Sequence, residues 1–399
     1  MKIAAVVATL LLVLAFPARG DTVSANDTAR FLAGMPPSAE SPLTVLTRDP
    51  AWQRHAKFLD GAFGQLEARQ LAKIRSWAAG NLAAPRPTMF YMFSGPDFLY
   101  ADAFYSKATT YVLSALEPVG AVPDLTRLPR GGIGGSLHHV ERALGSILSF
   151  SFFITEHMKS DLRAGQLGGT LPILYVFLAR SGKTIRDVVP VTLDEKGALL
   201  AQATGTGKNL TQGVRIAFAG DDGVERTLYY FSTDLSNSGV KNSGFLKFCE
   251  TLAPGNSLLK SASYLLHSGN FTSVRTFLLN NSATIIQDDS GIPLGNFDAT
   301  KWRFFPFGRY AGPIEKFPGR YQSKYAELFR QGKPIDFGIG YRWRTHETNL
   351  LLAVRLSPDG PGGVETVAST ERARPARPHP PRRPQYVEPR GFWFGWPFR

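Results

Sequence analysis

The chain has one cysteine, Cys249, in 399 residues, and no long run of apolar residues after Phe16. A single cysteine excludes a disulfide within the chain, so stability must come from the burial of apolar side chains. Runs shorter than about 18 apolar residues exclude a membrane-spanning helix beyond that point. With 43% hydrophobic residues, a chain of this length can bury one large core or two smaller ones.

Complete signatures of common catalytic sites are also missing: there is neither a G-x-S-x-G elbow nor an H-E-x-x-H zinc motif. Ser181–Thr184 reads SGKT, like the end of a phosphate-binding loop, but Phe177 stands where the first glycine is required. A second stretch that resembles a phosphate-binding loop has Gln202 where the first glycine is required. The apolar segment after Thr170 instead predicts a buried helix that Gly182 ends, followed by a strand.

The first twenty residues have the pattern of a secretory signal. Lys2 supplies positive charge, Ile3–Phe16 is an uncharged apolar run, and Ala18 and Gly20 are the small residues of a cleavage site. An uncleaved membrane anchor is disfavoured because the run is shorter than the ~20 residues that span a bilayer. We predict a signal peptide over residues 1–20, export to the periplasm or the extracellular space, and no transmembrane segment after cleavage.

Negative charge is scarce, since 45 Lys and Arg residues face 32 Asp and Glu residues, a formal net charge of +13. Such an excess favours contact with anionic material. Because an exported protein seldom meets nucleic acid, we expect the partner to be an anionic envelope glycan or a lipid surface.

Residues 357–399 are rich in Pro, Gly and Arg and show no helical or strand period, which predicts a disordered tail. Seven arginines lie between Arg372 and Arg399, and five aromatic residues lie in the last nine positions. A basic arm with an aromatic tip is suited to tethering the protein to an anionic surface or a partner. The alternative is an aromatic tip that folds back onto the body.

Residues 21–356 mix helical and strand patterns and contain no internal repeat. Asp49–Leu82 is amphipathic at helical spacing, Ser136 to about Met158 predicts a long helix, and Gly213–Leu235 predicts a β-hairpin. We predict a mixed fold, α/β to α+β. It consists of one large globular body, or two closely packed ones, with a central mixed sheet. A sub-boundary within the body is placed near residues 165–195.

Thr88–Gly120 reads as strand, turn, helix and strand, with a glycine turn at Gly95 and an acidic residue, Glu117, about twenty positions later. This spacing resembles the start of S-adenosylmethionine-dependent methyltransferases over roughly thirty residues. The resemblance implies a Rossmann-like unit whose acidic residue binds ribose hydroxyls. The alternative is a structural βαβ unit, with Asp97 capping its helix. That alternative is favoured because Gly95 stands alone and Pro96 lacks an amide hydrogen.

The most chemically suggestive segment is Thr284–Tyr325, in which a short apolar strand leads to Asp288 and Asp289 in a Ser-Gly turn. Adjacent carboxylates can bind a metal, or they can differ in pKa so that one acts as an acid and the other as a base. We predict Asp288 and Asp289 as the catalytic pair. The alternative is ordinary turn chemistry, for which Asp-Asp-Ser-Gly is well suited.

Aromatic and basic residues alternate after this acidic turn. Aromatic faces beside cationic donors suit an anionic sugar or phosphate, and the predicted ligand-binding residues are Trp302, Arg309 and Arg320. Alternating aromatic residues are also typical of a half-buried strand, which is the structural alternative.

Two function classes stay open at this stage. The first, slightly favoured because no complete catalytic constellation can be assembled, is an envelope-associated binding protein for an anionic ligand or polymer. The second is a hydrolase or transferase on an envelope polymer that uses Asp288 and Asp289. A degenerate methyltransferase-like domain is a further, weaker alternative to both. The identity of any cofactor or metal is not indicated by the sequence.

The tail hypothesis predicts that a chain ending at Leu356 folds normally but loses salt-sensitive binding to envelope fractions, because surface electrostatic contacts weaken as salt rises. Co-sedimentation with envelope fractions at low and high salt measures this binding. Equal binding by the truncated and full-length chains would refute the hypothesis.

Overall fold

The computed structural model describes residues 23–82, 84–127, 132–152, 167–201 and 210–356. These residues form a ten-stranded mixed sheet with helices packed on both faces. The mixed fold with a central sheet is therefore confirmed. The predicted signal peptide and tail lie outside the described ranges. Within those ranges, no helix is both long enough and apolar enough to span a bilayer.

Helices alternate with strands along most of the chain. A single π-helical turn, Glu67–Leu71, joins the second and third helices, and short 3-10 turns occur in several loops. The helices are α1 Ala25–Leu32, α2 Pro50–Leu66, α3 Ala72–Asn81, α4 Phe98–Tyr105, α5 Ile133–Phe150, α6 Leu171–Arg180, α7 Asn237–Val240, α8 Phe245–Thr251, α9 Thr272–Asn281 and α10 Ser323–Leu328.

The strands form one sheet in the order β4-β3-β5-β6-β2-β1-β7-β8-β10-β9. The five central strands, from β6 to β8, run parallel, and antiparallel strands extend the sheet on both sides. The strands are β1 Thr88–Met92, β2 Thr110–Ala115, β3 Thr184–Leu193, β4 Leu199–Ala201, β5 Thr211–Ala219, β6 Glu225–Ser232, β7 Gly255–Leu259, β8 Ser282–Gln287, β9 Trp302–Gly308 and β10 Asn349–Arg355.

The alternation of side chains along the strands builds two cores. In β1, Met89 and Tyr91 belong to the core shared with α1–α6, whereas Phe90 and Met92 belong to the core shared with α7–α9. Successive residues of a strand point to opposite faces, so a strand covered on both sides must be apolar throughout. All five residues of β1 are buried accordingly.

Several local predictions are confirmed. Asp49 caps a helix that runs through the predicted segment and ends at Asn81, interrupted by the π turn. The hairpin is formed by β5 and β6. The helix predicted to run from Ser136 to about Met158 ends earlier than expected. α5 stops at Phe150, and Ser151 adopts a left-handed conformation with φ 69°.

The SGKT stretch is not a phosphate-binding loop. Helix α6 occupies the apolar segment, has Pro172 in its first turn, and ends before Gly182 at φ +70°. β3 begins at Thr184, so no helix follows the lysine to hold a phosphate. Both α6 and β3 lie in the region of the predicted sub-boundary, and they contribute to the same core.

The outer strands of the sheet are β4 and β9. β4 has three residues, and β9 carries Pro306. Beside Pro306, Phe307 forms an isolated bridge to Lys333. These two strands limit the sheet on its two sides.

Leu178→Ala in α6 is expected to destabilise the protein by about 2–5 kcal/mol, because Leu178 is fully buried and its truncation leaves a cavity. Leu116→Ala is the matched control, since Leu116 is 54% exposed, and its effect should lie within about 0.5 kcal/mol. Urea unfolding of the two variants measures the difference. Equal destabilisation by both would contradict this placement of α6.

Candidate active site

Polar residues converge at the edge of the sheet where the parallel strands end. The chain leaves β1 for β2 on one side, whereas β7 and β8 lie on the other side of β1. In parallel sheets, ligands bind outside the carboxyl ends of the strands at the point where the strand order reverses. The loops after β1, β7 and β8 therefore meet where the fold places binding sites.

A buried ion pair joins two of these loops. Asp97 follows β1 and Lys260 follows β7, and Lys260 Nζ lies 2.9 Å from Asp97 Oδ2 with both side chains at most 2% exposed. Asp97 also accepts hydrogen bonds from the Tyr91 hydroxyl at 2.9 Å and from the Tyr100 amide at 3.2 Å. Burial lowers the pKa of Lys260, and the charge of Asp97 opposes this change.

The ammonium group of Lys260 has further partners. It donates to the carbonyl of Ser151, just beyond α5, and lies 3.8 Å from the centroid of the Tyr100 ring. A cation over an aromatic face is stabilised by the quadrupole of the ring, most strongly where water is excluded. The cation is therefore held by three groups from two segments, namely Asp97 and Tyr100 at the start of α4 and the Ser151 carbonyl beyond α5.

Gln70 reaches this cluster from the π turn. Its side chain is fully buried, accepts from the Tyr100 hydroxyl, and donates to the carbonyl of Gly338 at 3.0 Å. A π turn inserts one residue into a helix and is frequent at functional sites. Here the π turn contains Gln70, whose polar side chain points to the carboxyl edge of the sheet.

Asp288, the first residue after β8, lies beside the ion pair. Its Oδ2 accepts from the amide of Ser261 at 3.0 Å, and its Oδ1 accepts from the amide and the hydroxyl of Ser290 at 3.0 and 2.5 Å. Burial, together with the charge of Asp289, raises the pKa of Asp288 to about 7. The carboxyl group is therefore able to gain or lose a proton near neutral pH.

Asp289 is oriented into a different set of contacts. It accepts from the Tyr264 hydroxyl at 2.6 Å and from the Asn349 amide at 2.9 Å. Burial raises the pKa of Asp289, and the hydrogen bonds from Tyr264 and Asn349 oppose this change. The two carboxylates are both nearly inaccessible, at 1% and 2% exposure, so they do not cap a turn on a convex surface.

The backbone around the site is strained. Phe93, Ser261, Ser263 and Tyr264 have positive φ values between 52° and 63° although none is glycine. Such conformations cost on the order of 1–3 kcal/mol each, and they cluster at active sites and ligand clamps. All four lie in the loops directly after β1 and β7.

Residues 338–341 form a strap across the carboxyl edge. Gly338 accepts from Gln70, Gly340 accepts from the Ser151 hydroxyl at 3.3 Å, and the Tyr341 hydroxyl pairs with that of Ser263 at 2.8 Å. A Cβ on Gly340 would overlap Asp288 Oδ2. The strap therefore passes directly over Asp288, and glycine is required for that approach.

The predicted ligand-binding residues occupy different places. Arg309 follows β9 and is exposed, and its amide donates to Thr348, next to the Asn349 that binds Asp289. Arg320 is also exposed, and its charge acts on His267, whose pKa is lowered to about 4 mainly by burial. Both arginines thus lie near the acidic turn, at the rim of the site.

Trp302 is not brought together with them. It is the first residue of β9, is 4% exposed, and packs edge-on against Phe297 at 5.4 Å between ring centroids. Since β9 runs parallel to β8 and extends about 3.3 Å per residue, Trp302 lies roughly 20 Å from the carboxyl edge. Trp302 is therefore a core residue near the amino-terminal ends of the parallel strands, on the side of the sheet opposite the site.

The sequence pattern did not predict Lys260, Gln70 or Tyr264 as site residues, and it predicted Asp97 only as a helix cap. The capping role is present, since Asp97 accepts from the amide of Tyr100. Lys260 directly follows Leu258 and Leu259 at the end of β7, and a lysine in this position after a strand is the signal that could have identified it. The pairing of Lys260 with Asp97 depends on the order of the strands in the sheet, which cannot be read from either segment of sequence alone.

The residues described contain no group of three or more His, Cys, Asp or Glu side chains placed to hold a metal ion. A surface cleft of about 350 Å³ lies between α8 and α9, away from the carboxylates, and is lined in part by Glu250, Thr272 and Asn280. Cys249 is buried, and burial raises the pKa of its thiol, so it is unreactive core.

The raised pKa of Asp288 predicts a specific pH dependence of stability. A carboxyl group whose pKa is higher in the folded state favours folding when protonated, so this stabilisation is complete below about pH 4 and is lost as the pH rises through about 7. Relative to Asp288→Asn, the free energy of unfolding of the wild type should fall by on the order of 2–4 kcal/mol between about pH 4 and pH 8.

Urea unfolding at several pH values in this window measures the effect. Asp298→Asn is the control, because hydrogen bonds donated by Thr300 lower the pKa of Asp298, so its titration lies below the window. Parallel stability profiles for the wild type and Asp288→Asn would contradict the assignment.

No protein-family model, curated protein or solved structure matches this chain.

Proposed function

We propose that the chain is a hydrolase or transferase that acts on an anionic envelope polymer, with Asp288 as its acid–base group. One observation carries this proposal. Asp97, Lys260 and Asp288 come from the ends of three parallel strands and meet, buried, at the reversal of strand order. Stability alone gives no reason to bury three ionisable groups together, since burying charges costs more than it returns unless their geometry is excellent.

Asp288 is suited to proton transfer at neutral pH. A general base works best when its pKa is near the working pH, and enzymes raise carboxyl pKa values by burial and by a neighbouring like charge. Both causes act on Asp288. Asp289 supplies the like charge and is itself fixed by Tyr264 and Asn349, so it is a positioning residue rather than a second catalyst.

Lys260 and Asp97 supply a fixed electrostatic environment. The ammonium charge of Lys260 also acts on Asp288, so its presence limits the cost of ionising that carboxyl group. Preorganised charges in a site without water contribute strongly to catalysis because they need no reorganisation.

Arg309 and Arg320 at the rim support an anionic substrate. Exposed guanidinium groups bind carboxylates and phosphates through paired hydrogen bonds, so they favour a polymer with repeated negative charge. The envelope as the place of action is proposed from the N-terminal pattern and the net charge of +13.

The test is turnover of defined polymers, namely acidic polysaccharides, their O-acetyl esters and polyphosphate, measured by acid release and by chain length. Asp288→Asn should lower the rate by about 10²–10⁴-fold, as loss of a general base does. The wild-type rate should rise as the pH passes through about 7, where Asp288 ionises. Arg309→Gln/Arg320→Gln should raise KM with little change in kcat.

Asp298→Asn is the matched control, because Asp298 is an exposed carboxylate of the same segment, and it should keep the wild-type rate. Equal rates for the Asp288 and Asp298 variants would remove Asp288 from the mechanism. Thermal melting of each variant separates lost chemistry from lost folding.

A binding protein without catalysis is the second candidate, and one observation favours it. Every oxygen of the Asp288 and Asp289 carboxyl groups already accepts a hydrogen bond from the protein, as in a structural turn. In that case an acidic saccharide should raise the melting temperature through Arg309 and Arg320. Asp288→Asn/Asp289→Asn should leave this shift intact, and no polymer should be turned over.

A further inference from the structure

Ser261 occupies the position at which strand-end nucleophiles are held. It lies two residues after the end of β7, a central parallel strand, and has φ 55°. A serine on a sharp, strained turn at the carboxyl end of a strand has its hydroxyl projected from the top of the sheet, where a substrate can reach it.

Among the residues that the structure describes, none is a hydrogen-bond partner of the Ser261 hydroxyl, although its oxygen is buried. Buried polar groups are almost always hydrogen-bonded, and an exception needs an explanation, of which a catalytic role is one. The neighbouring serines differ in this respect, since Ser263 is paired with Tyr341 and Ser290 is paired with Asp288.

A proton acceptor lies close to this hydroxyl. The amide of Ser261 donates to Asp288 Oδ2 at 3.0 Å. Ser261 Oγ and Asp288 Oδ2 both lie within 3.2 Å of the point that a Gly340 Cβ would occupy. The hydroxyl and the carboxylate are therefore on the same side of the strap and within reach of each other after a small movement.

We propose that Ser261 is the nucleophile of an acyl-transfer reaction for which Asp288 is the general base. This proposal rests on the proposed function and narrows it to cleavage of ester or amide bonds by way of an acyl-enzyme.

The reaction proceeds in two balanced steps. Ser261 Oγ attacks the acyl carbon while its proton passes to the Asp288 carboxylate, and the tetrahedral intermediate expels the leaving group, which takes that proton. Water, or an acceptor hydroxyl in a transferase, then attacks the acyl-enzyme and gives its proton to Asp288. The Ser261–acyl bond breaks, the proton returns to Ser261, and no oxidant or metal is needed.

The strap must move for a substrate to enter. It is held to the site by the side chains of Gln70, Ser151 and Tyr341, and two of its four residues are glycines. Opening of such loops is a common step in enzymes that exclude water during reaction.

The test is labelling of the purified full chain with diisopropyl fluorophosphate, followed by mass spectrometry. In this reaction an Oγ–P bond forms, the P–F bond breaks, and Asp288 accepts the proton. The expected adduct is on Ser261, the first residue of the tryptic peptide Ser261–Arg275. Asp288→Asn should slow labelling by about 10²-fold or more.

Ser261→Gly is the decisive variant, because glycine adopts a positive φ without strain and keeps the amide that binds Asp288. It should fold at least as stably as the wild type and carry no adduct. Ser273→Ala is the matched control, because Ser273 belongs to the same tryptic peptide but lies in α9, and it should keep the adduct on Ser261. An adduct on another residue, or no adduct on the wild type, overturns the proposal.

Polymer turnover separates this proposal from the proposed function. Turnover lost in both Asp288→Asn and Ser261→Gly agrees with both. Turnover lost in Asp288→Asn but kept in Ser261→Gly rejects the nucleophile and leaves the proposed function in place. Turnover kept in both variants rejects both.

Discussion

The ion pair between Asp97 and Lys260 is the interaction on which the carboxyl edge depends. Its partners are at most 2% exposed, so both charges have lost their hydration. Breaking such a pair from one side leaves an uncompensated buried charge, at a cost of about 3–5 kcal/mol. The loops after β1 and β7 are therefore held together, and with them the strained residues and Asp288 that these loops support.

The same pair explains how strain is maintained in the neighbouring loops. Four residues with positive φ cost free energy that local contacts do not recover. The ion pair, the Tyr100 ring and the hydrogen bond between Ser263 and Tyr341 of the strap supply contacts that exist only when these loops keep their conformation. Strain at Ser261 and its neighbours is thus balanced by interactions a few residues away.

The fold was largely readable from sequence because its signals are local. Apolar runs, Gly182 at a helix end and Asp97 at a helix start each act within a few residues, and the structure has the corresponding elements. The site was only partly readable. Asp288 and Asp289 were recognised from their own turn, but Lys260 and Gln70 join them through strand order and a π turn, which are tertiary properties. Trp302 shares the segment of Asp288 yet lies at the far end of a strand, since nearness in sequence does not fix the edge of a sheet on which a residue lies.

The two outer strands affect how readily the protein aggregates at high concentration. An edge strand presents unpaired amides and carbonyls that another chain can join, which leads to aggregation. β4 offers three residues, and β9 lacks one donor at Pro306 and is partly covered where Lys333 pairs with Pro306 and Gly308. Within the described residues, β4 and β9 are therefore poor templates, and neighbouring molecules find little backbone on either strand on which to extend the sheet.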